Sequence, residues 1–264
     1  MKFQFLYFLN LLLLFSIGFS SNAQNKQAFK SGEELKFKVK YGWFKTSEAT
    51  LSISSTSLDG VPVYRIHGYG KSTGMLDWFF RVRDNFESYI DQKSGFPLKF
   101  IRKTNEGGHR KDRMIQFQHH LDSAIVNDYK RKTKSTHYIK KETQDMLSAL
   151  YTLRNTVDEN NLKEGEVFLL NLFFDEENFG FKAKFLREEV IETDFGKVKT
   201  LVFRPYVQAE RVFKEEESVT IWVSKDQNKI PLKIEADLAV GSITASLDSY
   251  KNLAYPFTAL LKNE

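Results

Sequence analysis

Apolar and polar side chains take turns through much of the chain. Leu35, Phe37 and Val39 alternate with Lys36, Lys38 and Lys40, and Ala49, Leu51 and Ile53 alternate with Thr50, Ser52 and Ser54. Strict two-residue alternation predicts strands with one face toward a core and one toward water. Asp59-Gly60, Ser94-Gly95 and Gly107-Gly108 punctuate the strands that follow, including a long run from Asp77 to Ile90 rich in aromatic residues. The pattern is that of an antiparallel meander.

One stretch departs from it. From Thr143 to Arg154, Met146, Leu150 and Leu153, with Ala149 beside them, recur at the three- and four-residue spacing of a helix face, and Thr143 or Asp145 stands where an N-cap belongs. The spacing predicts a helix whose Met146, Leu150 and Leu153 face packs on the concave side of the sheets, beside any ligand cavity.

After the helix the strand pattern restarts. Gly32 to Gly165, Asp59 to Asp194, Pro97 to Pro231 and Gly107 to Gly241 are separated by 133, 135, 134 and 134 residues. A near-constant offset predicts an internal duplication. The expected organisation is a signal peptide at 1–23, a first β repeat at 24–120, a basic hairpin and helix inserted at 121–163, and a second β repeat at 164–264. The fold class is mainly β: antiparallel meander sheets in two duplicated halves, as a curved sheet, half-barrel or sandwich, with one helix between them.

Three separated blocks carry a family resemblance. Gly74-Met75-Leu76-Asp77-Trp78-Phe79-Phe80-Arg81-Val82-Arg83-Asp84, Asp145-Met146-Leu147-Ser148-Ala149-Leu150-Tyr151, and Arg211-Val212-Phe213-Lys214-Glu215-Glu216-Glu217 through Ile230-Pro231 resemble the bacterial exported family catalogued as domain of unknown function 3108. The resemblance implies an exported protein of mostly β structure and transfers no activity and no catalytic residues.

Composition adds a compartment. Met1-Lys2, the apolar run Phe3 to Phe19 and the small-x-small Ser21-Asn22-Ala23 form a secretory signal. Cleavage after Ala23 leaves 241 residues without a transmembrane segment, and with no Cys at the cleavage point a lipid anchor is not expected. Export with no cysteine anywhere points to the periplasm or cell envelope of a bacterium. The charge of +5 becomes +4 with Lys2 removed, too diffuse for a nucleic-acid partner. Its one concentration, Lys130-Arg131-Lys132-Thr133-Lys134 with His137, Lys140 and Lys141, reads as a solvated hairpin edge or as a contact for an anionic envelope surface.

Catalytic and metal signatures are missing. His67, His109, His119, His120 and His137 lack ligand spacing, no hydrolase nucleophile motif occurs, and the acidic runs Asp175-Glu176-Glu177 and Glu215-Glu216-Glu217 lack the loop pattern of a calcium site. No cofactor or metal is expected. Alternation puts Arg81, Arg83 and Glu87 on one strand face and Val82, Asp84 and Phe86 on the other, so Asp84 needs a buried partner, for which Arg211 is the candidate. Trp43, Trp78, Phe79 and Phe80, with Met146 and Leu150, are the residues expected to line a ligand cleft if one exists. The functional expectation is a noncatalytic envelope protein holding an apolar or lipid-like ligand. The alternatives are a structural or assembly partner of other envelope proteins and an enzyme with an unrecognised site.

Overall fold

The computed structural model describes residues 27–207, 219–239 and 241–261. Fourteen strands follow one another along the chain: β1 Glu34–Tyr41, β2 Phe44–Leu58, β3 Val61–Ser72, β4 Val82–Asp91, β5 Pro97–Glu106, β6 His109–Gln118, β7 Ser123–Asp128, β8 Thr133–Tyr138, β9 Val167–Phe174, β10 Glu177–Thr193, β11 Gly196–Val207, β12 Val219–Ser224, β13 Pro231–Asp237 and β14 Ser242–Lys251. Two helices interrupt them, α1 Gly74–Phe79 between β3 and β4 and α2 Met146–Thr156 between β8 and β9. The run from Asp77 to Ile90 is therefore not one strand. Asp77 takes a bidentate contact from Arg83, 2.6 and 3.1 Å, and its carboxylate also accepts the Ser72 hydroxyl at 2.6 Å, which folds Trp78 and Phe79 into α1 before β4 begins.

All fourteen strands join one antiparallel sheet in the order β8-β7-β6-β5-β4-β3-β2-β1-β14-β13-β12-β11-β10-β9. Among the described strands, hairpin neighbours in sequence are neighbours in the sheet, and β1 on β14 joins strands far apart in the chain. The sheet is curved and open, and β9 packs across its interior against the strands near the other edge. Phe173 of β9 packs with Phe100, Ile115, Phe117 and Val126 from β5, β6 and β7, and Arg102 and Arg113 reach Asp175 at 2.9 and 3.2 Å. Between the edges the chain leaving β8 lies along β9, where Gln144 N–H donates to Asn171 O and Phe173 N–H donates to Gln144 O.

β9 to β14 repeat the order of β1 to β6, and Pro97 and Pro231 open the fifth strand of each series. The agreement extends to individual hydrogen bonds. Gly32 N–H donates to Ile53 O and Ile53 N–H to Glu33 O; Gly165 N–H donates to Phe185 O and Phe185 N–H to Glu166 O. From these anchors two cross-strand rows run through matching registers, Ile53-Ile66-Ser88-Phe100 in the first half and Phe185-Phe203-Ile221-Ile234 in the second.

Candidate functional site

The helix α2 closes the interior of this curved sheet. Asp145, wholly buried, is its N-cap: Oδ1 accepts from Leu147 N–H and Ser148 N–H, both at 2.8 Å, and the Ser148 hydroxyl accepts from Asp145 N–H at 2.8 Å. This reciprocal box satisfies donors that the first helical turn leaves free. Thr143, the other sequence candidate, instead donates to Lys140 O. Asp145 Oδ2 accepts the hydroxyl of Ser88 on β4 at 2.6 Å, so the cap also fixes the helix start to the first half of the sheet.

The opposite end is fixed by charge. Arg154 and Glu33 are 2 % and 1 % exposed and pair through two contacts of 2.6 and 2.8 Å. The guanidinium also donates to Ala28 O and to Asn228 O, both at 3.0 Å, so four hydrogen bonds hold it. Tyr151 lies between, edge-on to Phe29 at 4.8 Å between ring centroids, and burial drives its hydroxyl far above the usual phenol range. Leu147, Leu150 and Leu153 touch three separate apolar clusters, so α2 packs against both halves of the sheet.

The buried face of α2 differs from the predicted one. Ser148, Ala149, Tyr151 and Arg154 are its buried residues, Leu150 and Leu153 are half-buried, and Met146 is 45 % exposed. Hydrophobic spacing alone selected Met146 because the residues that enter the interior include a serine and an arginine, each with a buried partner.

Between α2 and the second half lies a cavity of about 60 Å³. Leu150, Leu153 and Val157 form its helical wall, and Ala183, Phe203 and Ile221 from β10, β11 and β12 face them. Its surface is apolar. Phe203 and Ile221 stand in the sheet row where the first half has Ile66 and Ser88, the latter bonded to the helix cap. The first half thus spends this position on anchoring the helix, whereas the second leaves it open.

The other predicted lining residues are elsewhere. Trp43 in the β1–β2 turn, Trp78 and Phe79 on α1 and Phe80 just after it are exposed at one end of the curved sheet, and of the six predicted ligand residues Leu150 is the one in the cavity wall. Asp84 is half-buried, accepts from Asn105 N–H at 3.2 Å, and has its pKa raised by burial; Arg211, its predicted partner, lies outside the described residues. Ala183, Phe203 and Ile221 were not predicted. Alternation marks each as inward-facing, but only the long-range register shows that they surround a space.

Among the described residues no helix is long and apolar enough to cross a membrane, and no cluster of three or more metal-ligating side chains occurs. The sequence model of the family described as "Protein of unknown function (DUF3108)" matches residues 36–248. Among solved structures, a β-barrel-like protein of domain of unknown function DUF1849 from Brucella abortus is similar with a TM-score of 0.54 at 10% identity, covering 84% of this chain and 98% of that one. A candidate exported protein with a YmcC-like fold from Bacteroides fragilis gives a TM-score of 0.32 at 11% identity, covering 85% and 97%. A search of the curated proteins found no match. The Brucella protein supports the barrel-like fold and nothing about activity.

Proposed function

The chain belongs to the DUF3108 family, whose description carries no activity, and from that premise we propose that it is a noncatalytic bacterial envelope protein that holds the end of an apolar, lipid-like ligand in the cavity beside α2. The observation that carries the reading is the apolar wall of that cavity, at a row position which the first half uses for its helix anchor. A space of this size exceeds the roughly 10–15 Å³ needed by one water, yet its wall offers water few partners. It is smaller than the roughly 150 Å³ apolar cavity that accepts benzene. The end of a flexible chain therefore fits better than a ring. Export rests on the signal pattern of residues 1–23, and the matching rows and hydrogen bonds support two copies of one ancestral unit.

The test is lipid extraction and mass spectrometry of the protein purified from its native envelope. Wild type should carry an acyl-chain lipid, and Ala183→Leu, which extends a side chain into the cavity, should lose it without losing the folded state. Leu150→Ala should cost about 1–2 kcal/mol, below the roughly 2–5 kcal/mol of a closed core site, because one side of Leu150 already meets open space. Equal lipid in wild type and Ala183→Leu, or none in wild type, would rule the reading out.

A further inference from the structure

The largest exposed apolar side chains sit together, away from the cavity. Trp43 is in the β1–β2 turn and Phe44 opens β2, Met75, Trp78 and Phe79 lie on α1 between β3 and β4, and Phe80 covers the β5–β6 turn. These turns adjoin along one rim: Thr73 N–H donates to Thr46 O, Gly107 N–H donates to Arg81 O, and the Phe80 ring lies against Gly107 where a Cβ would stand. Trp43 is 84 % exposed and Trp78 82 %.

The way α1 is held is informative. It buries none of its residues, and six residues cannot sustain a helix alone in water. What fixes it is polar and lies at its base: Arg83 and the Ser72 hydroxyl grip Asp77, whose pKa is drawn down to about 2, chiefly by the Arg83 contact, and Ser72 also accepts Val82 N–H at 2.8 Å. The polar base fixes Trp78 and Phe79 in the outward direction. They form projecting tips rather than a groove, so they offer a shaped protein partner no concave seat.

Charge on the same rim selects the surface. Next to the aromatic tips, the start of β6 presents His109 and Arg110, and the β7–β8 turn presents Tyr129, Lys130, Arg131 and Lys132, all exposed. Arg81 is exposed beside them. Among the described residues, Asp77 is held by Arg83, Asp128 by Arg113, and on the β9–β10 turn Asp175 by Arg102, Lys111 and Arg113 and Glu176 by Arg113, while Glu106 and Glu177 are exposed. Trp and Phe tips bordered by arginine and lysine match a lipid–water boundary, with rings at headgroup depth and cations on anionic lipid.

We propose that this rim, from the β1–β2 turn through α1 to the β7–β8 turn, docks on an anionic lipid bilayer, Trp43, Trp78 and Phe79 entering the headgroup layer while Arg110, Lys130 and Lys132 engage the lipid charge. The proposal stands independently of the cavity and its ligand. Docking would explain why the exposed aromatics around α1 and the basic β7–β8 turn, which fit neither core nor cavity, occupy one end of the curved sheet.

The experiment uses the protein purified from its native envelope and vesicles of phosphatidylglycerol or phosphatidylcholine. Trp43 and Trp78 report directly, since Trp222, the third tryptophan, is buried. Expected results are sedimentation with phosphatidylglycerol vesicles, a blue shift of tryptophan emission, and quenching by brominated lipid. Trp78→Ser with Phe79→Ser should weaken partitioning at least about tenfold with an unchanged melting temperature, because neither side chain is buried. Arg110→Glu with Lys130→Glu should weaken binding and flatten its salt dependence. Absence of phosphatidylglycerol binding, equal binding by the aromatic variant, or binding without any change in emission would each overturn the proposal. So would aromatic-dependent self-association in sedimentation, which would assign the rim to a second copy of the chain.

Discussion

Arg154→Met is expected to destabilise the folded chain by about 3–5 kcal/mol, because it leaves the Glu33 carboxylate buried without its cation. The cost comes from what remains rather than from what is removed. Glu33 loses both charge-assisted contacts, and the carbonyls of Ala28 and Asn228 lose their donors in a place water does not reach. Glu33→Leu alone should be damaging for the complementary reason, stranding the guanidinium. The double variant Glu33→Leu/Arg154→Met should be markedly more stable than the sum of the single effects implies, since it removes both charges together. Urea denaturation of the three variants and wild type gives the coupling directly. If Arg154→Met falls within about 1 kcal/mol of wild type, the pair does not lock the helix and α2 is held by its Asp145 cap and its apolar contacts.

That pair also marks the boundary of what the sequence displays. The helix, the strand alternation and the common offset between halves are local or periodic, so each is legible in one pass along the chain. Partnership across space is not. Glu33 immediately precedes β1 and Arg154 lies in the last turn of α2, and nothing near either residue announces that they meet. The same holds for Ser88, a small polar residue in a strand, which gains its role only because the sheet curls it under the Asp145 cap. Trp78, Phe79 and Phe80 illustrate a second limit. Within an apparently continuous strand run they read as lining for a cleft, but the Asp77–Arg83 contact turns the chain and leaves them on the surface. The cavity is a third case: Ala183, Phe203 and Ile221 are ordinary inward positions whose significance lies in what fails to pack against them.

Asp145 gives the second large effect. Asp145→Ala should cost about 2–4 kcal/mol, combining the loss of an N-cap, roughly 0.5–2 kcal/mol, with the burial of unsatisfied groups at Leu147, Ser148 and Ser88, roughly 1–3 kcal/mol. Asp145→Asn should behave in the opposite sense at neutral pH, and the reason is electrostatic. Burial raises the Asp145 pKa to about 6 from 3.8, against the pull of its hydrogen bonds from Ser88, Ser148 and Leu147. Between those two values the folded chain takes up a proton that the unfolded chain does not. This contribution is therefore fully present below the unfolded pKa and is lost as pH rises through about 6, by an amount on the order of 3 kcal/mol. Asparagine keeps the side-chain oxygen for the two helix amides and can donate to Ser88 in place of the protonated carboxyl, without carrying a charge. Asp77, Glu87, Asp128 and Asp175 have lowered pKa values and favour the folded state as pH rises, so wild type alone will not isolate the Asp145 effect. The difference in unfolding free energy between wild type and Asp145→Asn does, because those carboxylates are common to both. That difference should change in favour of Asn as pH rises from about 4 to about 7. A difference flat across this range would show that the three hydrogen bonds keep the carboxylate ionised throughout, and that the cap is held by charge rather than by a proton.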